Sequence, residues 1–142
     1  MLFRSMGRSS RGVRGIRIKP EDDLVSMDIV DREEEKLNLL IITSKGYGKN
    51  IKVIEFRCQA RGGIGVKSLK FRKTVKDDRV VDAVTVLKEN EVMIVTKSGT
   101  ICRQEISKIS TQKRESQGVR VVKIDEKDRV LTINQIITEE EE

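Results

Sequence analysis

The feature that most constrains the fold of this chain is an internal repeat with a period of 53 residues. Three segments align with one another, and we call them anchor segments 1 (residues 7–18, GRSSRGVRGIRI), 2 (60–71, ARGGIGVKSLKF) and 3 (113–124, KRESQGVRVVKI). A second landmark keeps the interval, because TSKG from Thr43 recurs as TKSG from Thr96. Such a period indicates an architecture in which each unit packs against its neighbours.

Each unit has the pattern of short β-strands separated by turns. In every anchor segment the last two aliphatic or aromatic positions lie two residues apart, as in Ile16 and Ile18, and therefore share one face of a strand. No long stretch has a helical period. Further strands are predicted at Leu24–Val30, Val80–Val86, Val130–Ile136, Leu37–Thr43, Val92–Thr96, Lys49–Phe56 and Thr100–Ile106.

About four strands per repeat is the layout of a β-propeller blade, in which radial repetition leaves only short edges. The period exceeds the roughly 40–45 residues of a WD-type blade, and the chain has no tryptophan for that signature. The sequence therefore predicts an all-β, propeller-like segment of a larger domain over residues 1–138. We expect a partial blade over about 1–30, a blade over about 31–86 and another over about 87–138, followed by an acidic tail at 139–142.

The repeat also exposes a recurrent pattern of positive charge. Three positions are basic in every unit, whereas random placement would make a given position basic in all three about one time in a hundred. Shared ancestry of the units is the alternative explanation, but neighbouring surface positions have diverged. These positions are occupied by Arg8, Arg61 and Arg114, by Arg14, Lys67 and Arg120, and by Arg17, Lys70 and Lys123.

The overall charge agrees with a polyanionic partner, although solubility alone would also explain it. The chain has 29 basic and 23 acidic residues, a net charge of +6, and its last four residues are glutamates. Aromatic residues make up only 3%, too few for the stacking platforms of single-strand or RNA binders. Duplex DNA is therefore the predicted partner. The predicted DNA-binding residues are Arg8, Arg11, Arg14, Arg17, Lys49, Arg61, Lys67, Lys70, Arg114, Arg120 and Lys123.

Other functional classes find little support in the sequence. The absence of histidine excludes Ser-His and Cys-His catalysis, so no catalytic residue is predicted. Cys58 and Cys102 are isolated, and the acidic clusters 21–23 and 33–35 are best explained as solvated loops, so no metal site is predicted. No apolar run approaches the roughly 20 residues that span a bilayer and no secretory signal is visible, so we expect a soluble, intracellular protein with no membrane partner. No small-molecule substrate is predicted.

Glycines recur at positions where the chain is expected to turn. A glycine permits positive φ and allows a phosphate to approach backbone N–H groups, although an ordinary tight turn explains any one of them. No phosphate-binding P-loop or dinucleotide motif surrounds them. The glycines with a predicted structural role are Gly12, Gly46, Gly63, Gly65, Gly99 and Gly118.

Taken together, these motifs resemble the C-terminal domain of the bacterial DNA gyrase A subunit. The resemblance lies in MGR from Met6 and GVRGI from Gly12, in TSKGYGK from Thr43, in RGGIGV from Arg61 and in QGVR from Gln117. It extends over nearly the whole chain in the same order. The related domain of topoisomerase IV is the nearest alternative, but the GYGK turn and the three regular units favour gyrase.

This resemblance implies a β-pinwheel, a spiral or ring of propeller-like blades that exchange strands and wrap duplex DNA on a basic rim. It implies a place in an ATP-dependent type II topoisomerase that introduces negative supercoils, with two A and two B subunits, in the bacterial cytoplasm at the nucleoid. ATP and Mg²⁺ would serve that complete enzyme, and no cofactor is expected in this segment. The cleavage tyrosine of the family does not transfer to Tyr47.

One departure from the family pattern concerns its diagnostic box, Gln-Arg-Arg-Gly-Gly-Lys/Arg-Gly. Residues 59–65, QARGGIG, keep five of the seven positions but lack two of the charges. We therefore interpret them as the equivalent loop of a later blade. A stand-alone architectural DNA-binding protein and a propeller-like scaffold for protein interactions remain alternative interpretations of the same sequence.

Overall fold

The chain forms two antiparallel sheets, each built on a β-hairpin that occupies the same place in the repeat. The computed structural model describes residues 5–31 and 33–137. Single turns of 3-10 helix, Val53–Glu55 and Ile106–Lys108, follow the two hairpins. In chain order the strands are β1 (Asn38–Thr43), β2 (Tyr47–Lys52), β3 (Val80–Val86), β4 (Glu91–Thr96), β5 (Ile101–Glu105), β6 (Val119–Arg120) and β7 (Val130–Ile136).

The sheets interleave strands from successive repeat units. The first sheet has the order β3-β1-β2-β6, so a hairpin of unit 1 lies between a strand of unit 2 and anchor segment 3. The second sheet has the order β5-β4-β7, in which the hairpin of unit 2 pairs with a strand of unit 3. All named strand pairs are antiparallel. The first sheet takes β1, β2 and β3 from the predicted blade range 31–86 and β6 from the range 87–138, whereas all strands of the second sheet lie in 87–138. The blade ranges themselves stay a prediction.

A single aliphatic core joins the two sheets. Leu40 and Ile42 of β1 pack in one cluster with Val92 and Ile94 of β4, and each of these side chains is almost completely buried. Removing such a side chain from water contributes about 1.5–3 kcal/mol. In β4 every second residue is buried, so Val92 and Ile94 lie on the face that turns inward, whereas β1 is buried on both faces over residues 40–43. The remaining members of the cluster are Val86, Ile106, Ile109, Val121, Val130 and Ile133.

Hydrogen bonds between neighbouring outer segments also link one unit to the next. The Asp82 carboxylate in β3 accepts hydrogen bonds from the Ile133 N–H at 3.0 Å and the Thr132 hydroxyl at 2.9 Å in β7. The Ser26 hydroxyl, in residues 24–30 of unit 1, donates to the Ala83 carbonyl of β3 at 3.0 Å. At the interval of 53 residues Asp82 corresponds to Ile29 and Gln135, so the two contacts are made by different repeat positions. These bonds set the spacing between neighbouring units.

An aspartate two residues before each of β3 and β7 fastens the hairpin turn of the preceding unit. The Asp78 carboxylate accepts hydrogen bonds from the Ser44 hydroxyl at 2.9 Å and the Lys45 N–H at 3.0 Å. The Asp128 carboxylate likewise accepts from the Ser98 N–H at 2.9 Å and the Ser98 hydroxyl at 2.6 Å. The recurrence of TSKG as TKSG and of an aspartate before the outer strand therefore reflects one repeated contact.

We expect Asp128→Asn to flatten the dependence of stability on acid pH. The hydrogen bond from the Ser98 hydroxyl, helped by Thr96 and backbone N–H groups, lowers the pKa of Asp128. In the unfolded chain an aspartate titrates near pH ~3.9, above the pKa of Asp128 in the folded protein. As the pH falls below that value, the unfolded chain binds the proton first, so the stabilisation by Asp128 decreases as the pH approaches the folded pKa. Urea denaturation midpoints between about pH 6 and pH 3 should therefore fall less in the variant than in the wild type.

Asp22→Asn provides the control for that experiment. Asp22 precedes residues 24–30 by two residues, as Asp128 precedes β7, but among the described residues its carboxylate accepts no hydrogen bond from a hairpin turn. Its replacement should leave the wild-type dependence on pH. Equal slopes for the wild type and Asp128→Asn would contradict the stabilising role of this contact.

Three of the predicted strands are wrong as regular strands. Residues 24–30 form none, although they lie beside β3, where the Asp28 carboxylate accepts hydrogen bonds from the Thr85 N–H and hydroxyl. Residues 13–18 and 66–71 contribute one isolated bridge, between Ile16 and Gly63. The physical reason is shared, because a strand needs a partner in register, and among the described residues none of these segments pairs in register with a hairpin. In anchor segment 3, only Val119–Arg120 forms a strand.

Candidate nucleic-acid interface

The three anchor segments lie side by side in the order of the sequence. The Arg17 N–H donates to the Gly63 carbonyl at 2.8 Å, and the Lys70 N–H donates to the Ser116 carbonyl at 3.1 Å. These two bonds join equivalent residues of successive units. The repeat therefore places its cationic segments in a row, which we call the basic row and define as anchor segments 1, 2 and 3.

The side chains of the basic row are available to solvent. Arg114 is half-buried and donates from Nη1 to the Lys67 carbonyl at 3.1 Å. Within residues 5–31 and 33–137, the side-chain ion pairs are Arg103–Glu91 and Lys108–Glu105, and neither includes a predicted DNA-binding residue. The remaining members of the predicted set, apart from Lys49, are exposed or half-buried: Arg8, Arg11, Arg14, Arg17, Arg61, Lys67, Lys70, Arg120 and Lys123.

Lys49 does not belong to this surface, and its prediction as a DNA-binding residue is wrong. Its side chain is completely buried, with a relative exposure of 0%. The ammonium donates to the carbonyl oxygens of Lys113 and Arg114 at 2.7 Å and to the carbonyl of Ser116 at 3.0 Å, and it lies 2.9 Å from the Ser116 hydroxyl. Lys49 therefore holds the loop of anchor segment 3 against β2 from inside the protein.

The protonation of Lys49 is consistent with this internal role. Burial lowers the pKa of Lys49 to about 8, and the carboxylate of Glu55 acts in the opposite direction. At pH ~7 the ammonium form therefore predominates and keeps three N–H donors for its oxygen acceptors. A lysine held in this way is a fixed crosslink between the hairpin of unit 1 and the backbone of unit 3.

Tyr47 and Arg72 form a contact that the repeat pattern does not reveal. The guanidinium carbons of Arg72 and Arg120 lie 4.9 Å and 5.3 Å from the centre of the Tyr47 ring. Arg120 donates to the Tyr47 hydroxyl, and Arg72 donates to the Gly118 carbonyl, both at 2.8 Å. Arg72 was missed because its equivalents, Lys19 and Asp125, do not keep one charge. This contact orients the Arg120 side chain within the basic row.

Backbone geometry explains most of the predicted structural glycines. A Cβ on Gly118 would lie 2.6 Å from the Gly48 carbonyl oxygen, so only glycine lets anchor segment 3 approach β2 this closely. Gly63 differs, because the positive φ of the Gly62-Gly63 pair, 73°, belongs to Gly62. A Cβ on Gly63 would instead lie 3.3 Å from the Gln59 side-chain oxygen and 3.4 Å from the Ala60 carbonyl oxygen. The predicted glycines with positive φ are Gly12, Gly46, Gly65, Gly99 and Gly118.

Over residues 5–31 and 33–137, no helix has the length and apolarity needed to cross a bilayer. The same ranges contain no group of three or more acidic or cysteine side chains placed to hold a metal ion.

These observations define a class, the propeller-like repeat proteins in which neighbouring units exchange strands and each unit contributes a cationic segment to one rim. The chain belongs to the family described as DNA gyrase C-terminal domain, beta-propeller, whose model matches residues 2–31, 37–86 and 90–136. Each of the three matched stretches contains one anchor segment. The resemblance inferred from the sequence is thereby confirmed.

Individual relatives agree with this assignment. The chain is 35% identical over 160 aligned positions to the DNA gyrase A subunit of Synechocystis sp., covering 92% of this chain and 18% of that protein. It is 36% identical to the DNA gyrase A subunit of Staphylococcus epidermidis, covering 98% of this chain and 15% of that protein. The chain thus spans less than a fifth of the length of these curated relatives.

Solved structures support the fold. A structure of the DNA gyrase A C-terminal domain aligns with a TM-score of 0.64 at 29% identity, covering 75% of this chain and 35% of that one. The C-terminal domain of DNA topoisomerase IV aligns with a TM-score of 0.79 at 24% identity, covering 88% of this chain and 38% of that one. The all-β, propeller-like architecture expected from the sequence is confirmed.

Proposed function

We propose that this chain binds duplex DNA without sequence preference along the basic row and wraps it as part of a DNA gyrase A subunit. The observation that carries the proposal is the row itself, in which equivalent cationic residues of three units lie on adjacent, hydrogen-bonded segments. Their side chains are exposed or half-buried and form no ion pair among the described residues. Such cations are free to replace the counterions of DNA.

The geometry favours phosphate contacts over base readout. Duplex DNA carries one charge per roughly 1.7 Å of axis, so a row of cations engages several phosphates at once. Phosphate contacts fix the position of the duplex but carry no sequence information. The described basic row presents no recognition helix for the major groove, and its cations are supplied by segments that are mostly turns and irregular backbone. Sequence-independent binding is therefore the mode that fits this surface.

Wrapping is the part of the proposal that the propeller-like fold supports, because propeller blades are arranged radially. When DNA tracks a curved row it bends, and bending 20–30 base pairs by 40–90° costs roughly 1–6 kcal/mol, which added phosphate contacts offset. Under this proposal the remainder of the gyrase A subunit, together with the gyrase B subunit, performs DNA cleavage and passage with ATP and Mg²⁺. The described segment supplies the DNA path.

A salt titration tests the proposal. We expect fluorescence anisotropy with two unrelated duplexes to give equal affinities, and the plot of log K against log salt to have a slope between about −3 and −8. The range corresponds to about three to nine phosphate contacts at roughly −0.9 each. End-to-end energy transfer across the duplex should rise on binding. No binding at about 50 mM salt, or a slope near zero, would instead indicate a protein-interaction scaffold.

A further inference from the structure

Two arginines share one aromatic ring at the junction between anchor segments 2 and 3. Arg120 lies directly opposite Tyr47 in the ladder between β6 and β2, and Arg72 is the residue that follows anchor segment 2. The guanidinium carbons of Arg72 and Arg120 lie 4.9 Å and 5.3 Å from the centre of the Tyr47 ring, within the range of a cation–π contact. We call Tyr47, Arg72 and Arg120 the double-arginine cluster.

The two positive charges of the double-arginine cluster have no acidic partner in the described structure. Over residues 5–31 and 33–137, the side-chain ion pairs involve neither Arg72 nor Arg120. Because both guanidinium groups contact one ring, they lie within about 10 Å of each other, a separation no larger than the ~10 Å Debye length at 0.1 M salt. Their repulsion is therefore only partly screened, and an anion bound by both would relieve it.

The double-arginine cluster also has hydrogen-bond donors that its internal contacts leave unused. The Tyr47 hydroxyl accepts a hydrogen bond from Arg120 at 2.8 Å, and no described residue accepts the proton of that hydroxyl. Arg72 donates from Nη2 to the Gly118 carbonyl at 2.8 Å, but its Nε is buried without an acceptor. A buried donor without a partner is destabilising. The position of Arg72 therefore favours a role for its charge over a role in stability.

The repeat does not reproduce the double-arginine cluster at its other junctions. Thr100 occupies the position of Tyr47 in the next unit, and Lys19 and Asp125 occupy the positions of Arg72. Arg120, by contrast, has a basic equivalent in every unit. The cluster thus adds a ring and a second guanidinium group to one of the recurring cations, which distinguishes this junction from the rest of the basic row.

We propose that the double-arginine cluster binds one phosphate group, with both guanidinium groups and the Tyr47 hydroxyl as its hydrogen-bond donors. This inference rests on the proposed function, because DNA lying on the basic row supplies the phosphate. Guanidinium groups form strong, charge-assisted hydrogen bonds with phosphate oxygens. Tyr47 has two tasks in the site, since it holds Arg120 and donates its own proton to the phosphate. The junction is therefore the strongest single phosphate contact of the row.

Removing one oxygen atom tests this site. Tyr47→Phe keeps the ring and both cation–π contacts but has no hydroxyl, so duplex affinity at ~0.1 M salt should fall about tenfold. The slope of log K against log salt should not change, because no charge is lost. Arg72→Ala should lower the affinity and also flatten the slope by about 0.9. Lys52→Ala removes a charge from the far end of the same strand and should leave the affinity within about twofold of the wild type.

A spectroscopic probe separates this site from the rest of the basic row. Tyr47 is the only tyrosine of the chain, so incorporation of 3-fluorotyrosine gives one fluorine NMR signal, which arises from the double-arginine cluster. We expect the signal to shift when duplex DNA is added. Inorganic phosphate should also shift it in a saturable manner, with sodium chloride holding the ionic strength constant. Arg72→Ala should abolish the response to inorganic phosphate, whereas Lys52→Ala should retain it.

The possible results distinguish this inference from the proposed function. The phosphate site would be overturned, and the proposed function would stand, if duplex DNA binds but the fluorine signal does not move, or if Tyr47→Phe binds duplex as tightly as the wild type. A signal that responds to inorganic phosphate in a chain that binds no duplex would support the site and refute DNA as the source of its phosphate. A chain that responds to neither ligand would refute both.

Discussion

Replacing Arg61, Lys67 and Lys70 together with alanine is expected to weaken duplex binding on the order of 100-fold at ~0.1 M salt. These three residues are the cations that anchor segment 2 contributes to the centre of the basic row. Each lost phosphate contact should flatten the plot of log K against log salt by about 0.9, so the slope should change by up to about 2.7. The loss should be equal for all sequences, because phosphates carry no base identity.

A matched control removes the same charge from another part of the first sheet. Lys36, Lys52 and Lys88 are exposed and lie at the ends of β1, β2 and β3 that are remote from the Gly46 turn and anchor segment 3. Their replacement by alanine should change affinity only slightly and leave most of the salt slope intact. Equal losses for the two triple variants would show that net charge, and not the basic row, governs binding.

Replacing Lys49 with methionine is expected to lower the free energy of unfolding by about 2–4 kcal/mol. Methionine has a similar length but no donor, so three carbonyl oxygens and the Ser116 hydroxyl would lose their common partner. Relief from burying a charge offsets part of this loss. The loop of anchor segment 3 should consequently detach more readily from β2.

Urea denaturation measures this loss, and Lys52→Met is its control. Lys52 lies at the end of the same strand but is exposed, so its replacement should change the unfolding free energy by no more than about 0.5 kcal/mol. Hydrogen exchange should also accelerate at the N–H groups of residues 119–121 in the Lys49 variant. A change below about 1 kcal/mol would contradict the crosslinking role of this lysine.

Much of the fold was predictable because the strand pattern of several segments agrees with the strands they pair with in the structure. The predicted strands Val80–Val86 and Val130–Ile136 match β3 and β7 at both ends. The hairpins were predicted within a few residues, since an aliphatic run and a glycine turn specify them locally. Residues 24–30 show the limit of such reasoning, because their pattern is equally strand-like but the described chain provides no hairpin for them to pair with.

The site was predictable where repetition carried the information. Recurring charge at three repeat positions identified residues that the structure places on adjacent segments, although whether they bind DNA remains a prediction. Lys49 was misplaced because residue type alone does not distinguish an exposed lysine from a buried one. Its replacement by Cys102 in the next unit was the available signal, since a cation needed at every unit would have recurred.

The interleaving of strands has a consequence for how the chain acquires its structure. In most linear repeat arrays a unit contacts only its neighbours, so folding can begin at any unit and spread. Here Tyr47 pairs with Arg120, which lies 73 residues further along the chain. A growing polypeptide therefore cannot finish its first sheet until residue 120 has been synthesised. Such distant pairings slow folding, and they also bind the units into one cooperative block that resists local fraying.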